Sequence, residues 1–225
     1  MRTYFITGAS RGIGRATALA LAAPGATLAL AGRTTAALEE LALEVQERGA
    51  QALVVPVDLR DLEGLQAAAQ SALEVLGGLD VLINNGGIFN VRSLEHTDPT
   101  FFEDMLRVNL TAPLVLARAC LGALRKSSSA VVVNVLSIAA ETGFPANSAY
   151  SASKYGLRGL SDVWRAELGE MAIQVRAVYP QGTDTSIFDD VPGDWDRSSM
   201  DSVEDVAKLI VQATMPDAPD ELRMY

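Results

Sequence analysis

Thr7-Gly8-Ala9-Ser10-Arg11-Gly12-Ile13-Gly14 is the stretch of sequence that decides the fold. It follows a short apolar segment with strand character, residues 4–7, and it opens a helical pattern over residues 13–22. Glycines at such a junction permit a tight turn, and the N–H groups at the start of the helix attract anions. The residues alone allow two interpretations, a loop that binds a phosphate group or a plain turn. The spacing is G-x-x-x-G-x-G, whereas the commoner dinucleotide loop reads G-x-G-x-x-G.

Strand and helix patterns alternate outward from this loop. Further strands are predicted at residues 26–30, 53–57, 81–83, 130–136, 173–179 and 221–225. Further helices are predicted at residues 35–48, 62–76, 100–125, 150–171 and 203–214. Strands that are apolar on both faces and alternate with helices indicate a parallel sheet covered on both sides. We therefore predict a doubly wound parallel α/β fold of about seven strands, formed as a single domain by residues 1–225.

Composition and charge narrow the classes of partner. Of the 225 residues, 49% are hydrophobic and 20% are charged, which suits a soluble domain. The formal net charge of -10 argues against nucleic acid or an anionic membrane as the main partner. The apolar stretch 16–31 is interrupted by Pro24 and Gly25 and is too short to cross a membrane. With one cysteine, Cys120, and one histidine, His96, we expect a cytoplasmic protein without a disulfide or a metal site.

Three motifs resemble those of one enzyme family. TGASRGIG, Asn84-Asn85-Gly86-Gly87 and Tyr150-Ser151-Ala152-Ser153-Lys154 resemble the cofactor loop, the NNAG motif and the Tyr-x-x-x-Lys of the short-chain dehydrogenase/reductase family, with Gly86 in place of alanine. The resemblance covers nearly the whole chain. It implies a Rossmann-like fold and a nicotinamide cofactor held by the glycine loop, at Gly8, Ser10, Arg11, Gly12, Ile13 and Gly14.

The end of the second predicted strand bears on the choice of nicotinamide cofactor. An NAD site usually has a carboxylate here for the adenosine ribose, but this chain has Gly32-Arg33-Thr34. Arg33 and Arg11 suit a 2′-phosphate, because a guanidinium is always charged and binds oxyanions through a planar fork. Two solvated surface arginines are the plain alternative. Together with the resemblance, the pattern favours NADP(H), with Arg33 and Thr34 near the adenosine end.

The resemblance also implies contacts along the rest of the cofactor. Asp58 and Leu59 are expected beside the adenine, although Asp58 could also cap the helix that follows. Asn85, Gly86 and Gly87 are expected to let the backbone pass close to the cofactor. The nicotinamide end is assigned to Tyr150, Lys154, Pro180, Thr183 and Thr185.

Tyr150 and Lys154 lie four positions apart on a predicted helix and therefore share a face. A nearby ammonium and an oxidised nicotinamide favour the phenolate, so we expect the pKa of Tyr150 to be lowered from about 10. Tyr150 could then exchange a proton with the substrate oxygen. Ser137, at the end of the fifth strand, could hold that oxygen. The resemblance assigns to Asn109 a water that links the lysine to a proton relay.

Each of these residues also has a plainer interpretation. Tyr-x-x-x-Lys can arise by chance, Ser137 could be a turn serine, and Asn109 a polar helix residue. The plain interpretations do not explain why so many candidates follow the carboxyl ends of predicted strands, where open α/β sheets bind ligands. The candidates that do so are the glycine loop, Asp58, Asn84, Ser137 and Pro180.

The chain departs from the family after the sixth strand, where it reads Pro180-Gln181-Gly182-Thr183-Asp184-Thr185. Gln181 replaces a glycine, and we expect its side chain near the substrate mouth. Residues 183–202 are expected to form a substrate loop. Phe188 and Trp195 are candidates either for a lid over an apolar substrate or for hinge anchors. Phe89 and Phe144 are candidates for the pocket lining.

These observations favour an NADP(H)-dependent oxidoreductase that interconverts a carbonyl and an alcohol, with Asn109, Ser137, Tyr150 and Lys154 as catalytic residues. One alternative is a non-catalytic NADP(H)-binding sensor or scaffold, since a fold does not determine function. Another is a different reaction on the same fold, such as epimerisation. The resemblance further implies a homodimer or homotetramer and a small-molecule substrate, whose identity and stereochemistry the sequence does not specify.

Overall fold

A seven-stranded parallel sheet forms the centre of the structure, a computed structural model that describes residues 2–224. The strands are β1 (Arg2–Thr7), β2 (Ala26–Gly32), β3 (Gln51–Pro56), β4 (Val81–Asn84), β5 (Val131–Val135), β6 (Gln174–Tyr179) and β7 (Glu221–Arg223). They lie in the order β3-β2-β1-β4-β5-β6-β7, and every neighbouring pair is parallel. The chain adds strands to one side of β1 and then to the other, so a crevice opens at the carboxyl ends of β1 and β4.

Helices cover both faces of the sheet. They are α1 (Gly12–Leu21), α2 (Thr35–Glu47), α3 (Leu62–Leu76), α4 (Pro99–Leu106), α5 (Ala112–Leu124), α6 (Ser148–Gly169) and α7 (Val203–Ala213). One core contains the apolar faces of α1, α2 and α7, with Leu38 and Ile210 fully buried. The other contains those of α3, α5 and α6, with Leu65 and Cys120 fully buried. The predicted doubly wound fold is confirmed.

The predicted helix over residues 100–125 is wrong in one respect. The structure has two α-helices, α4 and α5, joined by a π-helical turn at Arg107–Thr111. A π turn widens the helix by one residue, and such turns are frequent at functional sites. The last predicted strand, 221–225, is observed at Glu221–Arg223, and its final residue, Tyr225, lies outside the described residues.

The combined helical segment Pro99–Leu124 is long and apolar enough, by length and composition, to cross a membrane. Its apolar composition has an explanation within this fold. Leu116, Cys120 and Leu124 lie on the face that packs into the core with α3 and β4.

Residues 183–202 form a loop that is closed at its base. Thr183 and Asp201 pair as a parallel bridge, and Asp201 N–H donates to the Gly182 carbonyl at 2.8 Å. Two short 3-10 helices, Ser186–Phe188 and Arg197–Ser199, shape the loop between these ends. The loop therefore leaves the sheet directly after β6 and returns to the start of α7.

Candidate active site

The glycine loop approaches the β4 end so closely that side chains are excluded. Gly8 has a φ of +66°, and a Cβ on Gly14 would lie 2.2 Å from the Gly8 carbonyl oxygen. The Thr7 hydroxyl accepts hydrogen bonds from the backbone N–H groups of Asn85 and Gly86, at 3.0 and 2.9 Å. The Asn85 side chain donates back to the Thr7 carbonyl at 2.9 Å. These bonds fix two loops, from the neighbouring strands β1 and β4, against each other at the floor of the crevice.

The start of α1 fits a phosphate group. Its N-cap residue, Arg11, makes no side-chain cap hydrogen bond, so the first N–H groups of the helix keep their capacity to bind an anion. The adjoining cleft is lined by fifteen residues that were predicted to bind the cofactor, and it extends from the end of β2 to Tyr150. They are Gly8, Ser10, Arg11, Gly12, Ile13, Gly14, Arg33, Asp58, Leu59, Asn85, Gly86, Gly87, Tyr150, Lys154 and Thr185.

Other predicted cofactor residues lie outside the cleft lining. Thr34 is exposed at the start of α2, and Pro180 is buried, with its carbonyl accepting from Ile138 N–H at 2.9 Å. Thr183 is buried, and its hydroxyl donates to the Gln181 carbonyl at 3.2 Å. The cleft also contains residues that the sequence interpretation did not select: Ala31, Gly32, Val57, Arg60, Ile88, Val108, Val135, Ser186 and Ile187.

The end of the cleft beside β2 contains the cations of Arg11 and Arg33, and the residues at the end of β2 include no carboxylate. Arg33 is exposed, and Arg11 donates to the Ser186 hydroxyl at 2.5 Å and to the Ser186 carbonyl at 3.2 Å. Asp58 does not cap α3, because Asp61 does so by accepting from Gly64 N–H. Asp58 instead accepts from Arg60 N–H at 2.9 Å. The Arg60 guanidinium is held by Asp104 through two bonds of 2.7 and 2.8 Å.

Tyr150 and Lys154 both reach the cleft from the first turns of α6. The Lys154 ammonium is buried, donates to the Val135 carbonyl at 2.9 Å and lies 5.7 Å from the centre of the Tyr150 ring. Burial raises the pKa of Tyr150 to about 12, and the hydrogen bond with Ser137 opposes this only in part. Burial lowers the pKa of Lys154 to about 8. The expected lowering of the Tyr150 pKa is therefore not produced by the protein's own groups, since desolvation outweighs the hydrogen bond with Ser137.

Ser137 and Asn109 lie beside this pair. Ser137 begins the 3-10 helix Ile138–Ala140, and its oxygen accepts from Ala139 N–H at 3.1 Å. Asn109 lies in the π-helical turn and is fully buried, and its side chain makes two bonds of 2.9 Å with the backbone of Ile88. A Cβ built on Gly87 would lie 3.0 Å from Asn109 Oδ1 and 4.0 Å from Lys154 Nζ. Asn109 and Lys154 therefore both lie close to Gly87, although only Lys154 and Gly87 line the cleft.

Gln181 does not line the cleft. Its side chain donates to the Met224 carbonyl at 3.2 Å, beyond the end of β7. Thr185 lines the cleft, and its methyl group would be 3.2 Å from a Cβ on Gly12. The substrate loop therefore touches the glycine loop directly.

Aromatic residues converge on Tyr150. The Phe89 ring lies 4.8 Å from the Tyr150 ring, and Phe188 and Trp195 lie 5.3 and 5.7 Å from Phe89. Of the two interpretations of Phe188 and Trp195, the packing favours the lid. Phe144 is 43% exposed and belongs to no ring pair among the described residues.

Comparison with known proteins identifies the family to which this chain belongs. The short chain dehydrogenase family model matches residues 2–194. The ketoacyl reductase HetN of Nostoc sp. is 35% identical over 179 residues, which are 80% of this chain and 62% of HetN. The short-chain dehydrogenase/reductase FrzI of Cladobotryum sp. is 36% identical over 189 residues, which are 83% of this chain and 72% of FrzI. This chain belongs to the short-chain dehydrogenase/reductase family, whose members are oxidoreductases that bind a nicotinamide cofactor.

Solved structures of the same fold include cofactor complexes. An alcohol dehydrogenase from the archaeon Thermococcus sibiricus, complexed with 5-hydroxy-NADP, has a TM-score of 0.90 and 27% sequence identity, and the match covers 100% of this chain and 96% of that chain. A short chain dehydrogenase from Burkholderia cenocepacia in complex with NADP has a TM-score of 0.90 and 28% identity, with 99% and 96% covered. The predicted family and Rossmann-like fold are confirmed.

Proposed function

We propose that this protein is an NADP(H)-dependent oxidoreductase that interconverts a carbonyl and an alcohol. The observation that carries the proposal is the placement of Tyr150 and Lys154 in the same cleft as the glycine loop. The cleft runs from Arg33 at the end of β2, past the start of α1, to Tyr150, so these residues would hold a dinucleotide along its length. The cleft therefore joins a cofactor site to an acid–base group.

Tyr150 acts as the proton donor in carbonyl reduction. With a pKa of about 12 it is a phenol at neutral pH, which suits a general acid. Ser137, its hydrogen-bond partner, orients the substrate oxygen and stabilises the charge that develops on it. When bound, the reduced nicotinamide supplies a hydride to the carbonyl carbon, while the Tyr150 proton goes to the oxygen and yields the alcohol.

Lys154 and Asn109 support this proton transfer. Since the pKa of Lys154 is about 8, the ammonium remains mostly protonated at pH 7 and favours the negative charge left on Tyr150. Asn109 fixes the Ile88 backbone and lies, like Lys154, close to Gly87 in the cleft wall. We assign to Asn109 the water that relays a proton to Lys154.

The choice of NADP(H) over NAD(H) rests on Arg11 and Arg33. Both line the adenosine end of the cleft, and the end of β2 provides no carboxylate for a ribose 2′-hydroxyl. A 2′-phosphate gains charge-assisted hydrogen bonds from guanidinium groups. The complexes of related structures with NADP and 5-hydroxy-NADP support the same choice.

The test follows reduced-nicotinamide absorbance for the purified protein with NADPH or NADH and a panel of aldehydes and ketones. We expect NADPH to be oxidised in preference to NADH, and Tyr150→Phe to lose turnover by at least about a thousandfold while it still binds NADPH. NADPH binding without turnover on any panel member, unchanged in Tyr150→Phe, would instead favour the non-catalytic sensor. Failure to bind either cofactor would contradict the whole assignment.

We further propose that residues 1–225 act as one cofactor-binding and catalytic unit, with residues 183–202 as its substrate loop, in a cytoplasmic homodimer or homotetramer. The outer face of α6 exposes Tyr155 and Val163, at 44% and 53%, which is compatible with a contact between copies. Sedimentation over a range of concentrations tests this, and a monomer throughout would contradict it.

A further inference from the structure

The four aromatic rings of Phe89, Tyr150, Phe188 and Trp195, here the aromatic cluster, are joined through Phe89, which packs directly against Tyr150. The Phe188 and Trp195 rings lie 5.0 Å apart, and each also contacts Phe89. The Trp195 indole N–H donates to the Val191 carbonyl at 3.1 Å, so its polar atom is satisfied within the loop. The indole therefore presents carbon surface to the other rings, and a substrate that approached Tyr150 from the side of the cluster would replace ring–ring contacts.

The loop that carries Phe188 and Trp195 is strongly acidic. Residues 183–202 contain six aspartates and a single cation, Arg197. Arg197 is already paired with Asp184 and Asp189, at 3.4 and 2.5 Å. Asp190 and Asp194 are exposed and have no salt-bridge partner among the described residues. Arg92, which precedes α4, is paired with Asp98 at 2.8 Å. The exposed part of this loop therefore forms a mainly negative rim on the segment that carries Phe188 and Trp195, and Arg11 is the cation that reaches it from outside, at Ser186.

These two features define a class of substrate, an inference that rests on the proposed function. We infer that the protein acts on an uncharged ketone or alcohol whose reacting carbon adjoins an apolar ring. Separating the aromatic cluster exposes carbon surface to water, and a flat apolar ring restores the lost contacts whereas a polar chain does not. A carboxylate or phosphate beside the reacting carbon loses hydration among the rings and is repelled by the rim.

Binding of ketones to a complex that cannot react tests the substrate class independently of catalysis. The complex of the protein with NADP⁺ cannot reduce a ketone, so calorimetric titration of ketones into it measures binding alone. 4-Acetylbenzamide and 4-acetylbenzoate have nearly the same shape and differ in charge. We expect the amide to bind at least about tenfold more tightly, and acetophenone to bind at least about tenfold more tightly than butanone.

Two sets of variants test which residues cause the preference for an apolar ring and which cause the preference for an uncharged ketone. In Trp195→Ala, acetophenone should lose most of its advantage over butanone, while the control Phe144→Ala, an exposed phenylalanine outside the cluster, should retain it. In the double variant Asp190→Asn, Asp194→Asn, the amide-to-carboxylate ratio should fall several-fold. Glu74→Gln, an exposed acid on α3, should leave this ratio unchanged, and added salt should reduce the ratio in the unmodified protein.

The outcomes distinguish the two proposals. Equal or tighter binding of the carboxylate, no advantage of acetophenone over butanone, or no measurable binding of any ring ketone would overturn the substrate class. Turnover of 4-acetylbenzoate in preference to the amide would overturn it as well, while supporting the proposed function. The expected binding preferences without turnover of any ketone with NADPH would uphold the ligand class and refute the proposed function.

Discussion

Replacing the buried ammonium of Lys154 by methionine is expected to stabilise the fold while it removes turnover. Lys154 is 6% exposed, and burial lowers the pKa of its ammonium from 10.5 to about 8. The native state therefore binds this proton less tightly than the unfolded chain does. Methionine fills a similar volume without a charge, so the substitution removes the desolvation penalty and leaves the packing largely intact.

The magnitude follows from the two pKa values. A tenfold change in proton affinity is worth about 1.4 kcal/mol, so the penalty at pH 7 is about 3 kcal/mol. Because the native pKa lies below the unfolded one, the penalty is full below about pH 8 and disappears as the pH rises towards 10.5. About 2 kcal/mol remains at pH 9. Loss of the hydrogen bond to Val135 offsets about 1 kcal/mol, which leaves a net gain of about 2 kcal/mol at pH 7 and about 1 kcal/mol at pH 9.

Urea denaturation of the protein without added cofactor, followed by circular dichroism at both pH values, measures this gain. A midpoint of thermal unfolding about 4–8 °C higher at pH 7 would agree with it. Lys126→Met, at an exposed lysine, is the control and should show no pH-dependent difference. If Lys154→Met is no more stable than the unmodified protein at pH 7, or if its advantage does not shrink as the pH rises, the desolvation reasoning is refuted.

Three further changes test other parts of the structure. In the pH profile of kcat/KM for carbonyl reduction, the rate should fall above about pH 8 as Lys154 loses its proton, and a profile that is flat to pH 10 would contradict this role. Gly14→Ala places a methyl group 2.2 Å from a backbone carbonyl oxygen, so it should lower the free energy of unfolding by at least about 2 kcal/mol. It should also abolish NADPH binding, as measured by titration. The control is Gly122→Ala, whose Cβ meets no atom within 4 Å and which should not destabilise the fold. Arg223→Met removes the ion pair between the Arg223 guanidinium and the Glu141 carboxylate, whose atoms are 2.6 Å apart. This partly buried pair connects β7 to the segment that follows Ser137. Its loss should lower the urea midpoint by an amount that corresponds to about 1–3 kcal/mol.

The sequence predicts most of the fold because the local signals agree with one another. The strands are apolar on both faces, and the helix over residues 62–76 is observed with the same bounds. The π-helical turn at Arg107–Thr111 could not be predicted, because it replaces one hydrogen-bond pattern by another without a change of residue type. Its side chains suit either kind of helix.

Features of the site that depend on residues close together in the sequence could be predicted. Features that depend on contacts between residues far apart in the sequence could not. The spacing of Tyr150 and Lys154 places both in the cleft, as predicted. The contact of Arg11 with Ser186 joins residues 175 positions apart, and no sequence pattern marks it. The orientation of Gln181 depends on the backbone of Met224 in the same way, so the substitution of a glycine did not reveal where the side chain would turn.

The wide turn at Arg107–Thr111 also limits how the length of this chain can change in evolution. A π turn contains one residue more than an α-helix needs over the same path. Deleting one residue there would restore a regular helix with its hydrogen bonds intact, so the deletion would be mild for the helix itself. It would, however, rotate the residues on either side relative to each other by about 100°. Either Asn109 would leave the Ile88 backbone or α5 would turn its apolar face out of the core. We expect insertions and deletions among homologues to accumulate in the surrounding loops and to spare this segment.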